Sequence, residues 1–284
     1  MFQTIGIVGV GLIGGSLGLA IKQHRLANLV IGSGRSEKSL LLAKELGLID
    51  EVMDLEGISK SSDLLIVCVP VAQSKEIFST IALHLKPSAI VIDVGSTKMD
   101  VIASAKQGFG EQIGRMIACH PIAGGAQHGP SAARSDLFQN KQLIICPILE
   151  NQPNDVSKIE HFWQILGSKV FKMSAIEHDH LFAAVSHLPH ILSYAMMMQI
   201  ASSPDADKKF IHAGAGFRDF TRIAGSSPEM WTDIAMANKI SILDELEGFS
   251  KILEQMKIAI QDGDAQKLQK MFQIASDSRN NWQG

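Results

Sequence analysis

Apolar residues fall in short unbroken runs through the first part of the chain: TIGIVG, LVIGS, DLLIVCV, AIVIDV, RMIACH, QLIICPI and SKVFKM. The runs are rich in Val and Ile and lack polar alternation, the pattern of parallel strands covered on both faces. Between them lie stretches of helical spacing, one from about Leu12 to His24 and another from about Glu37 to Leu46. This βαβα order predicts a doubly wound, mainly parallel sheet. Near Met173 the pattern changes. AIEHDHLFAAVSHLPHILSYAMMMQIA, SPEMWTDIAMANKISILDELEGFSKILEQMKIAIQDG and AQKLQKMFQIASDS all carry helical spacing and almost no strand signal. Ser227-Pro228 reads as a helix start and Asp262-Gly263-Asp264 as a helix break. The chain therefore divides into an α/β domain, residues 1–172, and an all-α domain, residues 173–284. The helices of the second carry more apolar residues than a domain of that size can hide alone, which predicts a dimer built from this half.

Composition narrows the class without deciding the function. Of 284 residues, 46% are apolar and 19% charged, with a formal net charge of -3. Those totals fit an ordinary globular protein and give no basic surface for nucleic acid. Cys68, Cys119 and Cys146 each sit in or beside an apolar run, read as buried free thiols in a reducing cytoplasm. The apolar N-terminus imitates a signal peptide but lacks a basic leading region. No uninterrupted apolar run reaches membrane-spanning length, so neither a membrane nor a nucleic acid is an expected partner.

GVGLIGGS places Gly9, Gly11 and Gly14 as GxGxxG, after a strand and at the opening of a helix, with Leu12 and Ile13 in the first turn. In that context the pattern is a dinucleotide site: one glycine makes the turn, the second admits the pyrophosphate, the third lets helix and strand pack. The helix N-terminus adds a partial positive charge for the phosphates. The end of the second strand usually carries an acidic residue for the ribose hydroxyls of NAD. Here it reads IGSGRS, with Gly34 in the acidic slot and Ser33, Arg35 and Ser36 around it. A guanidinium can hold a 2′-phosphate that a carboxylate would repel, so NADP is expected in preference to NAD. Alternatively, Arg35 only stacks on the adenine and either cofactor binds. Val69, after the third clear strand, completes the expected cofactor set.

CHPIAGGAQHG raises a chemical question, because a buried strand gains nothing from ending on a histidine. Ligands of parallel sheets bind beyond the carboxyl ends of the strands, where His120 would stand with Ser96 and Lys98 from DVGSTK. The helical half offers His187 and His190 in SHLPH, and Arg218, Asp219, Arg222 and Trp231 in GFRDFTRIAGSSPEMW.

GVGLIGGS, DVGSTK, HPIAGG, HDHLFAAVSHLPH and GFRDFTRIAGSSPEMWTDI together resemble the prephenate/arogenate dehydrogenase family of tyrosine biosynthesis, in the family's order over residues 6–234. The resemblance implies a Rossmann-type domain followed by a helical dimerisation domain. It also implies a reaction, NAD(P)-dependent oxidative decarboxylation of a cyclohexadienol. His120 matches the base that accepts the hydroxyl proton, and Ser96 the serine beside that hydroxyl and the nicotinamide. Arg222 matches the arginine that binds the side-chain carboxylate, and His190 a substrate-contacting histidine. His187, Asp219 and Trp231 match pocket positions. Arg218 lies in the same motif, where relatives also carry lysine.

The chain departs from the family after HPIAG. Where relatives often read TEKSG, it has Ala126 in the acidic slot and His128 in place of serine. Loss of that carboxylate removes one partner for the ammonium of arogenate and favours prephenate. No stretch is left for a further catalytic or regulatory domain, so tyrosine feedback is expected at or near the active site.

Several features have plainer readings. His178, His180, His187, His190 and His212 are spaced like metal ligands, but their neighbours make up no metal set and Pro189 interrupts the last close pair; no metal is expected. His178 and His180 read as ordinary polar residues of a helix N-terminus, and Met196 to Met198 as core or dimer seam. Arg222 is equally an ion-pair partner for Asp219. Two other functions share the layout. A hydroxy-acid dehydrogenase would use a lysine such as Lys239, leaving HPIAGG and SHLPH unexplained. A non-catalytic dinucleotide-binding regulator would have no need of His120, Ser96 and Arg222.

Overall fold

Each of the seven apolar runs forms a strand in the computed structural model, which describes residues 2–125 and 127–282. They are β1 (Phe2–Val8), β2 (Ala27–Ser33), β4 (Leu64–Val67), β5 (Ile90–Asp93), β6 (Met116–Pro121), β7 (Gln142–Cys146) and β8 (Lys169–Lys172), with a two-residue β3 (Glu51–Val52) added at one edge. Both residues of β3 are exposed, so no apolar run marks it. The sheet order is β3-β2-β1-β4-β5-β6-β7-β8. Every neighbouring pair is parallel except β6 with β7.

The missing polar alternation has a direct cause. Successive side chains of β4 enter opposite cores, Leu64 and Ile66 on one face and Leu65 and Val67 on the other, all fully or almost fully buried. A strand with apolar cover on both faces has no solvent side to carry polar residues. The cover comes from helices α1 (Leu12–Gln23), α2 (Glu37–Glu45), α3 (Leu55–Ser61), α4 (Ser74–His84), α5 (Met99–Phe109) and α6 (Pro153–Ile165). Sheet order reverses between β1 and β4, so the connections leaving their carboxyl ends diverge and open a cleft there.

After β8 come α7 (Ala175–Phe182), α8 (Leu188–Ala201), α9 (Ala206–Ile211), α10 (Ala215–Thr221) and α11 (Pro228–Ala237), then α12 (Lys239–Gln261) and α13 (Ala265–Asn281). Helix α7 passes into α8 through a π-turn, Ala183–His187. Pro189 has no N–H to donate back to Val185, which loosens the register at that point. The combined Ala175–Ala201 helix has 27 residues and a most apolar window of mean hydropathy 1.3, enough by length and composition to cross a membrane. It nevertheless buries His178, Asp179 and His187 inside the protein. Ser227 caps α11, accepting from the Met230 amide at 3.3 Å. The long helical pattern that follows breaks at Asn238, whose side chain is taken up by tertiary hydrogen bonds. The chain forms two compact units, Met1–Asn238 and Lys239–Gly284.

Candidate active site

A cleft of about 670 Å³ opens at the switch point, lined by Gly9, Gly11, Ser33, Arg35, Ser36 and Val69 among others. Gly9 has φ +94°, and a Cβ there would lie 2.4 Å from the Cys68 carbonyl oxygen. A Cβ on Gly14 would lie 2.2 Å from the Gly9 carbonyl oxygen, whereas one on Gly11 would meet no protein atom within 4 Å. The backbone at Gly11 therefore borders free space. No side chain caps α1, so its first-turn amides are available to a phosphate. Leu12 and Ile13 are half-buried beside this turn. These features fit a dinucleotide. Ser36 caps α2, accepting from the Ser39 amide at 3.2 Å. Arg35 is exposed on the cleft wall and forms no ion pair among the described residues. Cys68 also lines the cleft and is only half-buried, unlike Cys119 and Cys146. Burial pushes the Cys146 thiol up to about 12, and Cys68 and Cys119 are raised by the same cause, which disfavours the reactive thiolate.

Because β6 runs parallel to β5, His120 stands at the same carboxyl edge of the sheet. It is 8% exposed. Its Nδ1 lies 2.8 Å from His178 Nε2, and His178 Nδ1 lies 2.8 Å from Asp179 Oδ1. The Asp179 carboxylate also accepts from the Lys98 amide at 2.8 Å and the Met99 amide at 2.9 Å. Lys98 is fully buried; its Nζ pairs with Asp93 and donates to the Cys119 carbonyl at 2.7 Å, beside His120. Asp93 in turn accepts from the Gly95 amide at 2.8 Å and the Cys119 amide at 2.9 Å. One connected set of buried groups thus joins the Ser96 turn, the end of β6 and α7. Burial holds His120 well below the ordinary histidine value, with His178, Lys98 and His187 adding to the effect. His178 is lowered by burial against the opposing pull of Asp179. The reading of His178 as an ordinary polar residue of a helix N-terminus is corrected: it lies in the first turns of α7 but is fully buried and bonded to His120, while His180 is exposed.

The second group of predicted residues follows along the helix. His187 is buried, and burial draws it down to about 4, opposed by Asp179 and by the backbone of Ser96. Its Nδ1 lies 3.2 Å from Asn238 Nδ2, which also donates to the Asp179 carbonyl at 2.6 Å. His190 stacks on Trp231, ring centroids 3.6 Å apart, and its Nδ1 donates to the Ser186 carbonyl at 3.0 Å. Burial lowers His190, and Arg222 lowers it further. His120, His187, His190 and Arg222 thus form a series within one compact unit. Among the described residues, Arg222 and Asp219 make no ion pair, and Arg218 and Asp219 are exposed on α10 without a hydrogen bond to the cluster. Ala126 lies outside the described residues; Gln127 and His128 beside it are exposed. Among the described residues no His, Cys, Asp and Glu group could hold a metal ion.

Two family models cover most of the chain: "Prephenate dehydrogenase, nucleotide-binding domain" over residues 17–172 and "Prephenate dehydrogenase, dimerization domain" over 174–274. The chain belongs to the prephenate dehydrogenase family. It is 33% identical to the cyclohexadienyl dehydrogenase of Zymomonas mobilis over 93% of this chain and 91% of that one. Its identity to the prephenate dehydrogenase of Bacillus subtilis is 33%, over 99% of this chain and 76% of the relative. The Aquifex aeolicus prephenate dehydrogenase, solved with hydroxyphenyl propionate and NAD+, superposes with a TM-score of 0.91 at 31% identity, covering 98% of each chain. The Synechocystis arogenate dehydrogenase gives 0.82 at 29% identity, covering 98% of this chain and 99% of that one. A 3-hydroxyisobutyrate dehydrogenase, 11% identical with a TM-score of 0.52, shares the fold alone. Members of the prephenate dehydrogenase family are oxidoreductases, and the Rossmann-type sheet with helices following it is their architecture.

Sequence reasoning missed Asp93, Lys98 as a fully buried cation, His178, Asp179 and Asn238. HDH inside an otherwise apolar helix was a signal for the first histidine and its neighbour. Nothing local marks Asn238.

Proposed function

We propose that this chain converts prephenate to 4-hydroxyphenylpyruvate in tyrosine biosynthesis, prefers NADP to NAD, and takes arogenate by the same steps with lower efficiency. The observation that carries the reading is a buried histidine, His120, whose protonation burial disfavours, at the sheet edge that also bears the glycine turn.

A bound nicotinamide supplies the hydride acceptor. His120 accepts the ring hydroxyl proton, a task suited to an imidazole that is neutral throughout the physiological range. Ser96 hydrogen-bonds beside that hydroxyl. As hydride and carbon dioxide leave, the ring becomes aromatic, and His120 returns the proton to the phenolic oxygen. The dianion thus yields a monoanion, carbon dioxide and a transferred hydride, with no net proton released. Arg222, which has no ion-pair partner among the described residues, binds the side-chain carboxylate, and His190 contacts the same end of the substrate. His187, Asp219 and Trp231 support the pocket, with Arg218 beside them. Arg35 and the hydroxyls of Ser33 and Ser36 favour a 2′-phosphate, while Gly9, Gly11, Leu12, Ile13, Gly14 and Val69 hold the rest of the dinucleotide. We divide the chain functionally at 172/173 and assign a homodimer to the helical part, in the cytoplasm.

The test is kcat/KM for prephenate and arogenate, each with NAD and NADP. The prephenate–NADP pair is expected to be highest. Substituting His120→Asn should lower kcat by about 10²–10⁴-fold with NADPH binding retained; intact turnover would overturn the assignment of the base.

A further inference from the structure

Asp179 and His178 stand behind His120, out of reach of any role as substrate ligands in the scheme above. Their hydrogen bonds have a fixed direction. Two backbone amides, Lys98 and Met99, already donate to the Asp179 carboxylate; with the hydrogen bond from His178 they hold it ionised, below the usual carboxylate range, against the cost of burial. It can only accept, so His178 Nδ1 carries a hydrogen. A neutral His178 then presents a lone pair at Nε2, 2.8 Å from His120 Nδ1. The hydrogen between the two rings must belong to His120.

We propose that Asp179 and His178 form a hydrogen-bond relay that holds His120 as its Nδ1–H tautomer and leaves Nε2 as the proton-accepting atom. The opposite tautomer would put a hydrogen on Nε2 and remove the base. Among the described residues, no other hydrogen bond to the ring imposes this choice. Phe182, whose centroid is 5.0 Å away, has no hydrogen-bonding atom; Lys98 is committed to Asp93 and the Cys119 carbonyl; and His187 is turned to Asn238. The same carboxylate fixes the backbone two and three residues after Ser96, so one residue holds both the tautomer of the base and the end of the turn carrying its neighbour. When His120 Nε2 takes up the hydroxyl proton, the imidazolium keeps its Nδ1–H bond to His178, and the ionised Asp179 lies one ring further on. No proton need move along the relay. Both residues are positioning residues, and the inference rests on the reading of His120 as the acceptor.

Long-range ¹H–¹⁵N correlation spectra of ¹⁵N-histidine-labelled protein read the tautomer directly. The expected result at pH 7 is Nδ1–H for both His120 and His178; an Nε2–H tautomer at His120 overturns the proposal. In kinetics, His178→Phe removes the acceptor and should lower kcat by about 10²–10³-fold, with KM within threefold and NADPH binding unchanged. His178→Gln offers an amide oxygen to the same hydrogen and should recover at least tenfold of that loss. Equal impairment of the two variants, or a kcat within threefold of wild type for His178→Phe, overturns the relay. Should His178→Phe fail to fold, the wild-type spectrum decides alone. Intact turnover in His120→Asn would reject the base while the spectrum still judged the tautomer, so the two failures are distinguishable.

Discussion

At the scale of single residues the site is defined by histidines that are buried without charge. His120, His178 and His187 all lie below the ordinary value of 6.5, chiefly because burial disfavours the imidazolium. Above pH 6.5 they are neutral whether the chain is folded or not, and they cost no stability. Below it the unfolded chain takes up protons that the folded one refuses, so stability falls as pH falls, until the folded values are reached. For His187 the window runs from 6.5 to about 4, worth about 3 kcal/mol at 1.36 kcal/mol per pH unit. Urea unfolding between pH 7 and 4.5 should show this decline, and His187→Gln should flatten it; a decline unchanged by the substitution would exclude His187 as a source. Arg35 allows a test of a different kind. If it holds a 2′-phosphate, Arg35→Asp should lower kcat/KM for NADP by about 10–100-fold, as expected for losing one charge-assisted contact, and leave NAD within threefold. An equal effect on both cofactors would mean stacking on the adenine instead.

The elements around the cleft separate what a residue does for the fold from what it does for a ligand. Gly14 is a packing glycine, because its missing Cβ would collide with the Gly9 carbonyl. Gly14→Ala must push α1 away from β1, and should cost about 1–3 kcal/mol of stability as overpacking does, along with cofactor binding. Gly11→Ala adds a methyl to open space. It should leave the melting temperature within 2 °C or so while raising the Kd for NADPH at least about tenfold; a large loss of stability would show that Gly11 serves the fold. The same contrast explains how much of the molecule could be read from its sequence. Each strand with cover on both faces writes an apolar run, and the glycine turn writes its spacing, so β1, β2 and α1 were legible. β3 has both residues exposed and carries no such mark. His120 was legible because it ends an apolar run for no packing reason. His178 carried only a weak mark, HDH within an otherwise apolar helix, because the role of a buried polar residue in a helix stays hidden until its partner from another element is known. Asn238 shows the same limit: helical spacing runs through it, and only its bonds to Asp179 and His187 account for the break.

On the scale of the whole molecule, the family's C-terminal part is a dimerization domain, and the second compact unit has the surface for that task. Helices α12 and α13 expose Phe249, Ile252, Leu253, Ile260, Phe272 and Ile274, with Leu253 at 56% and Ile260 at 64%. Single exposed apolar residues are common on any protein, but this many on two consecutive helices exceeds what a monomer ordinarily leaves in water. A second copy of the chain is the occupant expected, since a two-fold interface buries the same surface from both partners. Light scattering after size exclusion should give twice the 30.8 kDa of one chain. Leu253→Asp combined with Ile260→Asp should move the mass toward a single chain, because each carboxylate would have to be desolvated to keep the interface. Wild-type melting temperature should rise with protein concentration, as it does whenever folding and association are linked, and that dependence should vanish in the double variant. A wild-type protein that stays at 30.8 kDa at tens of micromolar, with a melting temperature independent of concentration, would mean that these helices are covered by something other than a second copy.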